Sequence, residues 1–100
     1  MLAFLAFASS ASATTVGVPS ARITYIQANE GFFRLNLSTP MINPDGWVDP
    51  DGYIVAYTQA AHQQFLSIAL TAQSRGAQVD LVIDGCYSGR PKIIAMRIKE

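Results

Sequence analysis

The chain has 100 residues, 50% of them apolar and 14% charged, with seven basic and seven acidic side chains and one cysteine. That length allows one domain at most. The balanced charge leaves no basic stripe to neutralise phosphates, which argues against nucleic-acid binding. A lone Cys86 excludes a disulfide within the chain and leaves a buried hydrophobe, an intermolecular link or a reactive thiol.

The run Met1-Leu-Ala-Phe-Leu-Ala-Phe carries no charge and leads to Ala11-Ser12-Ala13, a small-x-small cleavage pattern. It is shorter than the roughly 20 apolar residues a bilayer span needs. Residues 1–13 are therefore expected to be a signal peptide, truncated because its basic n-region is missing. The expected location is periplasmic or secreted, with no stable membrane span. Residues 14–21 read as an N-terminal lead-in, and residues 22–100 as a single domain.

Alternation begins at Arg22, with Ile23 and Tyr25 set against Thr24 and Ile26, and predicts a strand to about Ala28. Asn29-Glu30-Gly31 supplies a turn. Phe33, Leu35 and Leu37 then alternate with Arg34, Asn36 and Ser38, predicting a second strand that completes a hairpin. Residues 39–52 form a loop holding Asn43-Pro-Asp-Gly and Asp49-Pro-Asp-Gly, two turns with Pro second and Gly fourth. Its aspartates lack the spacing and the closing glutamate of a calcium loop, so no metal site is expected.

Tyr53–Tyr57 predicts a third strand, with Thr58 able to cap the next helix. The stretch Ala60–Arg75 has no Gly or Pro. Ala61, Phe65, Ile68, Ala69 and Ala72 fall on one helical face, widened by Leu66 and Leu70, with Gln59, Gln63, Ser67 and Gln73 opposite. Arg75 suits the C-terminal dipole end, and Gly76 a left-handed C′ position. Val79, Leu81 and Ile83 alternate with Gln78, Asp80 and Asp84 in a fourth strand, where the two aspartates read as solvated. Asp84–Pro91 is a turn-rich connection. A fifth strand runs from Ile93 to Ile98, with Ile94, Met96 and Ile98 on one face. The order β-β-β-α-β-β predicts an all-β fold with one helix, a five-stranded OB-type Greek-key barrel. A small α+β sandwich is the alternative.

The segment Leu81-Val-Ile-Asp-Gly-Cys86-Tyr-Ser-Gly89 resembles the nucleophile segment of caspase-like cysteine peptidases. The one histidine, His62, lies on the predicted helix and not in a His-Gly dipeptide, and a thiol without its base is a weak nucleophile. No catalytic residue, metal ligand or cofactor is therefore expected. Trp47, Tyr53, Tyr57 and Tyr87 lie in or beside loops and strand ends, close to Asn and Asp. Aromatic rings beside amides and carboxylates suit a sugar or a protein surface, and equally the packing of barrel ends. The candidate ligand-binding residues are Trp47, Tyr53, Tyr87 and Asn43.

One resemblance extends over Ala21–Lys99. It rests on the opening strand Ile23-Thr-Tyr-Ile, the Gly31-Phe-Phe hairpin, the Asn43-Pro-Asp-Gly loop, the long helix ending in Ser74-Arg-Gly-Ala-Gln-Val-Asp-Leu-Val, and Gly85-Cys86 followed by Gly-x-Pro. In these the chain resembles small exported bacterial OB-fold proteins similar to the B subunits of subtilase cytotoxin and pertussis-like AB5 toxins. The resemblance implies glycan binding and a homo-oligomer, a ring pentamer, beside a separate catalytic chain. In that pattern a cysteine able to pair with the later one tends to follow the loop, where this chain has Trp47. The expectation is an exported, non-enzymatic binding module for a glycan or protein partner. The alternatives are a self-assembling structural subunit and a cysteine hydrolase at Cys86.

Overall fold

A computed structural model describes residues 15–49 and 51–99, so the expected signal peptide lies outside the described residues. The elements are β1 (Val16–Ala28), β2 (Phe32–Leu37), β3 (Tyr53–Ala56), α1 (His62–Arg75), β4 (Gln78–Tyr87) and β5 (Arg90–Lys99). The chain is mostly β with one helix, and its five strands close into one sheet in the order β1-β2-β3-β5-β4. Closure falls to β1, which is long enough to serve two neighbours. Its first half pairs antiparallel with β4 from Val16↔Ile83 to Arg22↔Gln78, and its second half pairs with β2. The expected lead-in is thus strand from Val16 onward. Its sparse charge and its Pro19 had hidden the alternation.

The inner face gathers Val18, Phe33, Leu35, Tyr53, Val55, Val79, Leu81, Ile83 and Ile93 around Phe65, Ala69 and Ala72 of α1. Each fully buried large aliphatic or aromatic side chain contributes about 1.5–3 kcal/mol. Leu66 and Ile68 pack partly against this cluster, whereas Leu70 is exposed and does not widen the buried face.

Register shifts along β1, β4 and β5 let the strands curve, as closure requires. Ile23 pairs with Leu37 and Tyr25 with Asn36, so Thr24 is the extra residue and Tyr25 turns outward while Ile26 turns in. Between Val18 and Ala21 the register shifts again. On β5, Val82 pairs with Ala95 and Ile83 with Ile93, so Ile94 is extra and exposed rather than on the face of Met96 and Ile98. A strict two-residue period cannot survive such insertions.

Thr58 does not cap α1. The helix begins at His62 behind Ala61, with no side-chain cap. Its other end follows expectation. Gly76 is left-handed at φ 66°, and the Gly76 and Ala77 N–H groups reach the Gln73 and Ala72 carbonyls. The link before the helix has another purpose. β3 and β5 share only the parallel pair Ile54↔Lys92. Gln59 bridges this seam: its Oε1 accepts from the Ala56 N–H at 2.7 Å and its Nε2 donates to the Ile93 carbonyl at 2.7 Å. Gln59 is therefore a seam residue and not part of a solvated helix face.

The turn-rich segment 84–91 resolves into a tight hairpin. Tyr87 pairs with Arg90 across Ser88 and Gly89, both with positive φ (55° and 78°), the signature of a type I′ turn. Gly85, at φ 74°, sits in the bulge just before it.

Candidate functional site

Side chains alternate across a strand, so Phe33 and Leu35 of β2 face the core while Phe32, Arg34 and Asn36 face out. The bulge at Thr24 brings Tyr25 of β1 onto the same outer face. The Asn36 Nδ2 donates to the Tyr25 hydroxyl at 3.1 Å, and the Arg34 guanidinium lies 5.4 Å from the Tyr25 ring centroid. From the β4–β5 hairpin, Tyr87 meets Phe32 edge-on with centroids 5.8 Å apart, and the Arg90 guanidinium lies 5.9 Å from the Phe32 centroid. Three rings and two guanidiniums thus share one surface. Ile54 beside them on β3 is fully buried although it stands outside the inner cluster, so this outer face has a packed floor of its own.

One carboxylate ties the two arginines. Asp51 accepts from Arg34 Nη1 at 2.6 Å through one oxygen and from Arg90 Nε at 2.6 Å through the other. Charge-assisted bonds from Arg90, and then from Arg34, outweigh the opposing desolvation and hold the Asp51 carboxyl below its ordinary pKa, while Asp51 raises that of Arg90. Arg34 also donates to Gln27, and its Nε is buried without an acceptor. A crevice of about 80 Å³ lies beside this group, lined by Asn36, Leu37, Thr39, Met41, Asp51, Gly52 and Tyr53.

The Val48-Asp49 stretch of the loop is pinned against this face. The Asp49 N–H donates to the Gly89 carbonyl at 2.9 Å, and a Cβ on Gly89 would come within 2.9 Å of Val48 and Asp49. Val48, 81% exposed, is thereby presented beside the hairpin tip.

The expected site residues separate. Tyr87 belongs to the surface just described, and Trp47 stands next to Val48 on the pinned loop, half-buried. Asn43 is spent on the loop itself: its side chain accepts from the Trp47 N–H at 2.9 Å and donates to the Trp47 carbonyl at 3.0 Å. Together with the Gly46 N–H bond to the Asn43 carbonyl at 3.2 Å, this makes the first of the two expected turns. The second contains residue 50, outside the described residues. Tyr53 lines the crevice but is not on the exposed aromatic surface. It is 1% exposed, and its hydroxyl accepts from the Ile42 N–H at 2.8 Å. Burial raises its pKa against the opposing effect of that bond. Position beside a loop had suggested exposure, but alternation from Tyr53 to Val55 directs its ring inward. Tyr57 packs at 5.7 Å against the His62 ring.

The two residues of the peptidase-like reading lie on different elements. Cys86 is exposed on β4. His62 starts α1, with its Nδ1 2.8 Å from the Gln59 carbonyl oxygen and Tyr57 at its ring. Among the described residues no group of three or more His, Cys, Asp or Glu side chains converges as a metal set. No described helix is long and apolar enough to cross a membrane. Asp80 and Asp84, expected to be solvated, are both engaged: Asp80 by Ser20 and Arg97, Asp84 by the Thr15 hydroxyl at 2.7 Å. Bonds from Ser20 and then Arg97 hold Asp80 below its ordinary pKa.

Arg34, Arg90 and Tyr25 are the residues that sequence reasoning missed. The Arg34 signal was present as an outward position on a clean alternating strand, but its partner Asp51 lies 17 residues away. Comparison of the chain with protein-family models, with curated proteins and with solved structures found no match.

Proposed function

We propose that this chain is a non-enzymatic binding module, an OB-type barrel that recognises a protein partner through the outer face of β1 and β2 and the adjoining hairpin tip. The observation that carries this reading is the convergence of Tyr25, Phe32 and Tyr87 with Arg34 and Arg90, beside exposed Val48 and half-buried Trp47. Aromatic rings and arginines are the side chains enriched at protein interfaces and at their energetic centres. The OB-type assignment is supported by the strand order β1-β2-β3-β5-β4, the parallel β3–β5 pair and the helix between β3 and β4. Export to the periplasm or beyond, and kinship with toxin B subunits, belong to the same proposal and rest on the sequence.

Photo-crosslinking tests it. A benzoyl-phenylalanine placed at Tyr25 or Val48 should yield a partner adduct of one defined mass from envelope extract, and the same group at Leu70 should not. Equal adducts from all three positions would count against the surface. A glycan array run in parallel distinguishes a sugar ligand.

A second reading, self-assembly through α1, is favoured by one feature. Exposed Gln63, Gln64, Ser67, Leu70 and Thr71 form an outer helix face that carries no charge before Arg75. Light scattering separates it: a pentamer supports assembly, and a monomer at high concentration removes it.

A further inference from the structure

We propose that Arg34 and Arg90 form a clamp for a carboxylate of an acidic polypeptide segment, and that Asp51 is the clamp's intramolecular occupant. The inference rests on the protein-binding reading of this face and names the chemistry of the partner.

The two arginines are held by groups other than Asp51. Arg34 is set by Gln27 and by the Tyr25 ring, and Arg90 by the Ser88 carbonyl at 3.2 Å and the Phe32 ring. Their side chains are 15% and 17% exposed, whereas Asp51 is 53% exposed on a loop. The guanidiniums are therefore built into the sheet face, and the carboxylate is the outermost member of the group. Asp51 meets Arg90 with both oxygens, Nε to Oδ1 at 2.6 Å and Nη2 to Oδ2 at 3.5 Å, but gives Arg34 one bond through Nη1, so the Arg34 fork lacks the paired carboxylate it matches best. Arg34 Nε is left with no acceptor. Asp49 acts on Arg90 only through its field, without a bond to it.

A polypeptide fits this surroundings better than a free anion. Exposed Tyr25, Tyr87 and Val48 border the clamp and give neighbouring side chains of a peptide something to cover. A tethered carboxylate competes at an effective concentration in the millimolar range or above. An isolated carboxylate therefore does not displace Asp51. A segment with several acidic residues and additional contacts does.

The test uses the full chain and the arginine Nε–Hε resonances, read by NMR during titration with a tetraglutamate peptide. Tetraglutamine and inorganic phosphate serve as comparisons. In Asp51→Asn protein the tetraglutamate should shift the Arg34 and Arg90 signals saturably, at least tenfold more tightly than in wild type. Adding Arg90→Gln should remove the response. No saturable shift in folded Asp51→Asn protein overturns the proposal, and an equal response to phosphate overturns the polypeptide class. Wild-type protein supplies a second measurement independent of that variant's folding. Millimolar tetraglutamate should move the Asp51 carboxyl carbon resonance, and an unmoved resonance contradicts displacement. A partner crosslinked at Tyr25 that keeps its affinity for Arg90→Gln protein removes the clamp while leaving the binding face intact.

Discussion

Gly52 is pressed against Arg34: a Cβ at Gly52 would lie 2.7 Å from Arg34 Cγ and 2.6 Å from Asn36 Oδ1. Its φ of 136° is also one that side-chain-bearing residues rarely adopt. The loop thus returns to β3 through a residue that must be glycine, and the Arg34 stem is fixed by that passage. Gly52→Ala should lower stability by about 1–3 kcal/mol through backbone strain and the displaced arginine. Urea denaturation measures it, and the same variant should perturb the Arg34 Nε–Hε signal while leaving that of Arg97 in place.

Gln59 should behave as a structural residue although it carries no charge and precedes the helix. Gln59→Ala leaves the Ala56 N–H and the Ile93 carbonyl without their partner across the β3–β5 seam. Leaving such buried groups unsatisfied costs about 1–3 kcal/mol each. Denaturant unfolding should report the loss, and hydrogen exchange should accelerate at Ala56 before it does in the β1–β4 ladder. Gln63→Ala, on the exposed face of α1, serves as the neutral comparison.

Tyr53 and Tyr87 should respond oppositely to removal of their rings or hydroxyls. Tyr53→Phe leaves the Ile42 N–H unpaired and should cost about 1–3 kcal/mol of stability, with partner binding unchanged. Tyr87→Ala removes a partly exposed ring and should cost less stability but weaken binding. Unfolding curves and binding isotherms for the two variants check this division.

Acidification should destabilise the protein from about pH 4 downward. Asp51 and Asp80 hold their protons more weakly when folded than when unfolded, because arginine and serine donors favour their ionised forms. The unfolded chain therefore binds more protons as pH falls, and the stability these pairs supply above the unfolded carboxylate pKa is lost through the folded values. Both pairs are partly open to solvent, so salt should reduce the effect. Thermal unfolding between pH 2 and pH 6, compared with Asp51→Asn/Asp80→Asn protein, should show a shallower slope for the variant.

Much of the fold was legible because local rules suffice for it. Alternation in Phe33–Leu37 and Val79–Ile83, the apolar stripe of α1 and Gly76 after Arg75 each depend on neighbours within one element. What was hidden depends on distant residues. An extra residue at Thr24 or Ile94 has no local marker, yet the first reverses which of Tyr25 and Ile26 faces the core and the second takes Ile94 off the face of Met96. Tyr53 and Tyr87 look alike as aromatic residues beside turns, and only the closed sheet decides that one is interior. The Arg34–Asp51–Arg90 group joins β2, the loop and β5, and no spacing within the chain announces it.

The most direct test of the binding surface is the affinity of the partner crosslinked at Tyr25 for wild-type and Tyr25→Ala/Tyr87→Ala protein, measured by calorimetry with folding checked by circular dichroism. At least a tenfold loss is expected for the double variant. Unchanged affinity in a folded double variant would contradict it and place recognition on another face.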